Sequence, residues 1–382
     1  MTLGQFIRKS AFRNKRRSLL TIASMAFSML LLTLLMTVWR TFFLDHGAPD
    51  SALRLVCRHR VSLTFFLPNA YREKIRAIPG VLHVTPVTYY MGQWKDDRPE
   101  NYFASIATDP SEYLQVATDK IVPADQIQDW RRDRAGAMVD AHLAERHGWK
   151  IGDHIHLKGT YYPVNLELTI RAMYSIDPPN DAMYFNQEYL EQLYPEMKGQ
   201  SGTFSIRVDS PASVPNAGAA IDAMFRNSQY PTRSESEQTF RLDYLSHIGN
   251  VKAFILLISG AVTFAIMLVT ANTLAMSIRE RTREVAVLRT IGFSRGRILA
   301  LFLSESLSVA VLGGLLGVCL CAFLVHEIGA ARGVSMPAAI RVTTLTMVAA
   351  LATSAVLGIL SALVPSYHAS RRNIVEGLRY LG

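Results

Sequence analysis

The sequence predicts an α-helical membrane protein in which four transmembrane helices carry a large α+β extracytoplasmic domain of two subdomains. Three observations lead there. Four apolar runs are long enough to span a bilayer, the excess of basic residues is confined to short segments beside those runs, and the long stretch between the first two runs is patterned like a folded soluble domain.

A helix needs roughly 20 apolar residues to cross the hydrocarbon core. The runs Leu19–Trp39, Ala253–Met276, Leu299–Val325 and Val342–Val364 meet that length, and Glu305 is the one charge within them. Soluble helices of this length carry a polar face, and these do not. The first run follows basic residues as a signal peptide does, but its apolar core is too long and no small-x-small site precedes Asp45–Asp50, so it reads as a retained anchor. Small residues recur at Gly313, Gly314 and Gly317 and again at Ala349, Ala350, Ala352, Ser354 and Gly358, as close helix packing in lipid requires. Glu305 lies near the cytoplasmic end of its span and reads as a structural partner of Arg297 or Arg295 rather than part of an ion path.

Charge sets the orientation. Segments 1–18, 277–298 and 365–382 together hold 15 basic and 3 acidic residues, whereas 40–252 holds 23 basic against 26 acidic. By the positive-inside rule the three basic segments face the cytoplasm. The formal net charge of +9 is thus a cytoplasmic rim, and a nucleic-acid partner is excluded. The expected order is a cytoplasmic amphipathic segment 1–18, span 19–39, outer domain with stalk 40–250, span 251–276, cytoplasmic link 277–298, span 299–325, short outer loop 326–341, span 342–364 and cytoplasmic tail 365–382.

Within the outer domain, Asn69–Ile78 reads as a helix that Pro79-Gly80 ends. Val81–Tyr90, Ile155–Leu157, Leu166–Tyr174 and Gly202–Val208 read as strands. Asp140–His147 and Val214–Asn227 read as helices, the second with Ala217, Ile221, Met224 and Phe225 on one face and Pro215 in its first turn. Ser234–Asn250 reads as a polar helix running on into the second span as a stalk. Cys57, Cys319 and Cys321 are odd in number and two fall in one apolar run, so no disulfide framework is expected and Cys57 reads as packed and reduced. His154 and His156 share a strand face, but no third ligand is indicated and no metal site is expected. No Gly-x-Ser-x-Gly or His-Glu-x-x-His sequence marks a catalytic centre.

The link between the second and third spans is the most informative stretch. From Arg279 to Ile291 it holds neither Gly nor Pro, and Gly292 suits a C-cap. Val285, Leu288 and Gly292 follow a helical spacing, with Arg279, Arg283, Glu280 and Glu284 on polar faces. Such a helix could rest on lipid headgroups or enter a cleft of a soluble protein; the two acids among the arginines favour the protein.

This stretch resembles the signature E-R-x-R-E-I-x-x-L-R-x-x-G of the MacB/FtsX-like permeases of ATP-binding cassette transporters, the type VII or mechanotransmission class. It is matched here by Glu280, Arg281, Arg283, Glu284, Val285, Leu288, Arg289 and Gly292. Phe302-Leu-Ser-Glu305 with Gly313-Gly314-x-x-Gly317 is similar to the family's third span, and Pro365-x-x-x-Ala369-Ser-Arg371 with Glu376-Gly-Leu-Arg379 to its C-terminal end. Ile78-Pro-Gly-Val81 and Leu143-Ala-x-x-x-Gly148-x-x-x-Gly152-Asp153 look like its MacB-like outer subdomains. The resemblance implies a stand-alone permease in a bacterial inner membrane, both termini cytoplasmic, working as a dimer with a second copy or a paralogue. It also implies a separate ABC ATPase dimer, which would bind ATP and magnesium, and a periplasmic membrane-fusion or adaptor protein. The chain itself would need no cofactor and would be no enzyme, since it has no Gly-x-x-x-x-Gly-Lys-Ser/Thr loop. The expected ATPase contacts are Arg279, Glu280, Arg281, Arg283, Glu284, Val285, Leu288, Arg289, Ile291 and Gly292. Export or efflux is the leading reading, with transmembrane signalling to a periplasmic partner and lipoprotein release as alternatives.

Overall fold

Each apolar run forms one long helix in the computed structural model, which describes residues 15–44, 49–98, 101–247, 250–280, 282–330 and 340–371. The helices are Lys15–Trp39, extended by a wider turn Arg40–Leu44, then Val251–Glu280, Arg295–Ala330 and Thr344–Arg371. All four are long and apolar enough to span a membrane. The last one outruns its expected end. It continues through Pro365 to Arg371, because Ala362 and Ala369 are both buried in one cluster with Phe302 and Ile298 and hold the helix together across the missing N–H.

Small residues set the packing of this helical unit. A Cβ on Gly313 would lie 2.7 Å from the Met25 Cβ, and one on Gly317 would lie 2.4 Å from the Ala26 carbonyl oxygen. The third span therefore meets the first almost backbone to backbone, as a Gly-x-x-x-Gly face permits. Toward the fourth span, Ser306 Oγ donates to the Gly358 carbonyl at 2.8 Å and Ser354 Oγ donates to the Ala310 carbonyl at 2.6 Å. These reciprocal bonds satisfy both hydroxyls where no water competes. Met25, Met29, Leu32, Ile266, Ala310, Val318, Ala350 and Leu357 then close a core drawn from all four helices.

The α+β unit lies within Phe43–Gly249. Its strands are β1 Arg54–His59, β2 Leu67–Pro68, β3 Val81–Tyr89, β4 Gln93–Trp94, β5 Ala104–Thr108, β6 Gly136–Asp140, β7 His154–Lys158, β8 Leu166–Tyr174, β9 Ala182–Asn186, β10 Gln200–Ser201, β11 Thr203–Val208 and β12 Thr232–Ser236. Ten of them form one sheet of order β12-β1-β11-β3-β5-β9-β6-β8-β7-β4, and β2 pairs with β10. The first four in that order, with helices Tyr71–Arg76 and Ser213–Met224, make a βαββαβ frame. Residues 90–202 interrupt the frame between β3 and β11 and supply the rest of the large sheet. The two subdomains are thus a frame and its insertion, joined edge to edge where Val87, Thr88 and Tyr89 pair with Thr108, Ala107 and Ile106.

Each subdomain has its own core. Leu55, Cys57, Ile75, Val84, Phe204, Ile206 and Ile221 fill the frame, and Tyr90, Val139, Leu143, Leu157, Leu168 and Phe185 fill the insertion. The helices expected at Asn69–Ile78 and Val214–Asn227 are present but shorter, at Tyr71–Arg76 and Ser213–Met224. The expected stalk needs correction. Ser234–Ser236 are not helical; they belong to β12, where Ser234, Glu235 and Ser236 pair with Cys57, Val56 and Leu55. The helix starts at Glu237, where Ser236 Oγ accepts the Thr239 amide at 3.2 Å, and runs to His247. The second span starts afresh at Val251, with Asn250 Oδ1 accepting the Ala253 amide at 3.1 Å; residues 248–249 lie outside the described residues. Both starts are Ser/Asn N-caps, whose side-chain oxygens take a first-turn amide that has no intrahelical acceptor.

Candidate functional site

The link between the second and third spans forms a short helix, Thr282–Thr290. Its end is built by a specific closure. Gly292 adopts φ 99°, its amide donates to the Arg289 carbonyl at 3.1 Å, and the Phe293 amide donates to the Leu288 carbonyl at 3.0 Å. This pair of bonds is a Schellman motif, which satisfies carbonyls the helix end would orphan. The next helix begins two residues on, with Ser294 Oγ accepting the Arg297 amide at 3.4 Å. Cap and restart together aim the short helix against the spans.

Two of its residues face inward. Val285 and Ala286 are buried, and Val285 shares a cluster with Leu274 and Ile278 of the second span, Phe302 of the third and Ala369 of the fourth. Val285, expected among the ATPase contacts, is thus packed against its own chain. Helical spacing alone put Val285 and Leu288 on one stripe but could not say which stripe turns inward. Glu284, Gly292 and, at the end of the second span, Arg279 and Glu280 are exposed, while Leu288 and Arg289 are half-buried. Ile291 is 71% exposed, and Val287 one turn earlier is 42% exposed. Val287 escaped the sequence reading, although its i, i+4 spacing to Ile291 was there to see. Arg283 lies in the first turn of the helix, and Arg281 lies outside the described residues.

The remaining candidates are structural. His154 Nδ1 lies 3.1 Å from Thr169 Oγ1, and His156 Nδ1 lies 3.5 Å from Glu167 Oε1 on the exposed side of β7. Among the described residues no three His, Cys, Asp or Glu side chains gather as metal ligands would. Cys57 is wholly buried in β1, and burial pushes its thiol up to about 12, so it is neither nucleophile nor ligand at neutral pH. Glu305 is buried on the third span, whereas Arg295 and Arg297 are exposed at that helix's start.

Residues 18–224 match the MacB-like periplasmic core domain, and residues 256–374 match the FtsX-like permease C-terminal domain. The chain belongs to the MacB/FtsX-like permease family. Among relatives of this permease, the uncharacterized ABC transporter permease YknZ of Bacillus subtilis is 27% identical over 193 residues, covering 48% of this chain and 47% of that one. The macrolide export ATP-binding/permease protein MacB of Shewanella oneidensis is 37% identical over 107 residues, 28% of this chain and 16% of that one. The chain spans about half the length, or less, of these relatives. Among solved structures, the extracellular domain of YknZ from Gram-positive bacteria aligns with 48% of this permease and 99% of that chain, at 11% identity and a TM-score of 0.37. The periplasmic region of MacB from Actinobacillus actinomycetemcomitans aligns with 50% of this permease and 92% of that chain, at 8% identity and a TM-score of 0.38.

Proposed function

We propose that this permease couples ATP hydrolysis by a separate ABC ATPase dimer to motion of its outer domain, and so drives export of a substrate. It sits in a bacterial inner membrane with both termini and the 277–298 link in the cytoplasm and residues 40–250 in the periplasm. It works as a dimer with a second copy or a paralogue and hands cargo to a periplasmic membrane-fusion or adaptor protein. ATP and magnesium belong to the partner ATPase, and the permease is not itself an enzyme.

One observation carries this reading. The helix Thr282–Thr290 ends in a Schellman cap at Gly292, buries Val285 and Ala286 against the spans, and, with Ile291 just beyond it, presents Glu284 and Val287 outward. A headgroup-bound helix would bury its apolar face in lipid and carry basic residues on the other. Here the inward face is already covered by the chain itself, and the outward face sets an apolar pair beside the acidic Glu284 rather than a basic stripe, which suits a protein cleft better than anionic headgroups. Closure of two ATPases would carry the link with it, and the packed spans would pass the displacement outward as a rigid-body change.

The test uses tagged full-length permease and the ATPase that copurifies with it. Ile291→Asp and Glu284→Arg should each lower ATPase retention by about tenfold or more, the loss expected when a central interface contact is replaced by a desolvated or reversed charge. Membrane insertion should be unchanged. Retention at the wild-type level in both variants would remove this helix as the docking element.

A further inference from the structure

Arg54, the first residue of β1, is buried in the α+β unit and bonds the adjoining turn and two segments that are remote in sequence. Its Nη1 and Nη2 donate to Asp119 Oδ1 and Oδ2 at 2.8 and 2.9 Å, its Nη1 also donates to Asp50 at 3.2 Å, and its Nε donates to Glu237. Asp50 lies in the turn Pro49–Leu53 that follows the first span in sequence, and Glu237 opens the helix Glu237–His247 that precedes the second. Asp119 belongs to the insertion. Four residues along β1, Arg58 repeats the attachment, donating to Asp243 of the same helix at 2.5 Å and to Glu235 at 2.9 Å. Arg207 of β11 seals the other side, donating to Asp50 at 2.8 Å and to Thr118 at 3.0 Å.

We propose that Arg54 is a positioning residue that ties the helix Glu237–His247 to the insertion, so that displacement of the helix is delivered to residues 117–121 through one guanidinium. This rests on the permease reading above. A planar guanidinium holds bidentate partners in fixed directions, so its carboxylates cannot shift independently while the fork stays intact. Buried ion pairs are poor sources of net stability but demanding about geometry. A connection that must carry displacement uses the second property. Asp119 is followed by Lys120, whose Nζ lies 5.3 to 5.7 Å from the ring centres of Tyr113, Tyr174 and Tyr184. Displacement at Asp119 therefore reaches the interior of the insertion directly.

Hydrogen exchange on the full chain in nanodiscs tests the link. The Ala117 and Ile121 amides donate to the Tyr113 and Ser175 carbonyls at 2.9 Å each and report on the insertion side. Glu237→Gln should speed exchange at 117–121 by about tenfold, and Asp119→Asn should speed exchange in 237–247 by a similar factor, the scale of one charged hydrogen bond. Arg54→Lys keeps the charge but loses the fork, and should loosen both segments together. Glu73→Gln, at the exposed Arg76–Glu73 pair, should change neither. Loosening confined to the substituted segment, or an equal response to Glu73→Gln, overturns the proposal. With the copurified ATPase, a nonhydrolysable ATP analogue should alter exchange at 117–121 in the wild type and not in Glu237→Gln. A nucleotide response that reaches 237–247 but stops short of 117–121 in the wild type overturns the link alone. The absence of any nucleotide response in the wild type overturns the permease reading and the transmitting role with it.

Discussion

Asp140 ends β6 with a buried carboxylate that serves three backbone donors. One oxygen accepts the His142 amide at 3.0 Å, and the other accepts the Asn180 and Asp181 amides at 2.8 and 2.9 Å. A single side chain thus caps the helix Ala141–His147 and holds the loop where Asp181 adopts φ 49°. Asp140→Ala should lower stability by about 2 to 3 kcal/mol, the sum of a lost cap and unsatisfied donors. Thermal unfolding followed by circular dichroism reads this, and a midpoint equal to the wild type would mean that water replaces the carboxylate at no cost. Asp119 and Asp50 make a second prediction. Burial alone would raise the Asp119 carboxyl, but hydrogen bonds from Arg54 and the charges of Lys120 and Arg54 outweigh it and hold the group below its ordinary 3.8. Asp50 is held down likewise, burial being outweighed by Arg207, Thr118 and Arg54. A carboxyl lowered on folding contributes stability above its unfolded value, and that contribution fades as pH falls through the lower folded value. The unfolding midpoint of the outer domain should therefore carry no loss from this pair down to about pH 4 and drop below it, and Asp119→Asn should flatten that acid limb.

Helices and strands answer to longer patterns, and here legibility divides. The four spans, the capped link and β8, found at Leu166–Tyr174 as expected, could be read because hydropathy and capping are properties of neighbouring residues. β1 could not. Its Arg54 and Arg58 look like exposed charges, whereas the fold buries both against carboxylates from Asp119, Glu235, Glu237 and Asp243. β6 was hidden for a different reason. Its five residues are all buried between β8 and β9, with no alternation to betray a strand. Among the spans, close approach distinguishes one glycine from another. Gly317→Val should force the first and third spans apart and lower the thermal midpoint, costing about 2 to 3 kcal/mol by overpacking. Gly260→Ala should be tolerated, because a Cβ there meets nothing within 4 Å. Equal effects from the two would contradict the packing described.

At the scale of the whole molecule, orientation can be checked directly. Ile291 of the link and Tyr161 of the insertion are 71% and 69% exposed. In a chain whose Cys57, Cys319 and Cys321 are replaced by serine, Ile291→Cys should react with a membrane-impermeant maleimide only from the cytoplasmic side, and Tyr161→Cys only from the other. Labelling of Ile291→Cys from the outer side would reverse the assignment of the link and leave no place for an ATPase, and labelling of Tyr161→Cys from the cytoplasmic side would reverse that of the outer domain. By itself the amino-acid order determined the membrane class, the number of spans, the basic rim and the capped helix between spans two and three, because each follows from composition or spacing within a few turns of chain. Only the tertiary structure decided that Val285 turns inward while Val287 and Ile291 turn out. It alone showed that the βαββαβ frame is split by its insertion, and that Arg54 joins two remote segments, at Asp119 and Glu237. Those outcomes depend on which distant groups arrive to cover a face or neutralise a charge, and no local window of sequence contains that information.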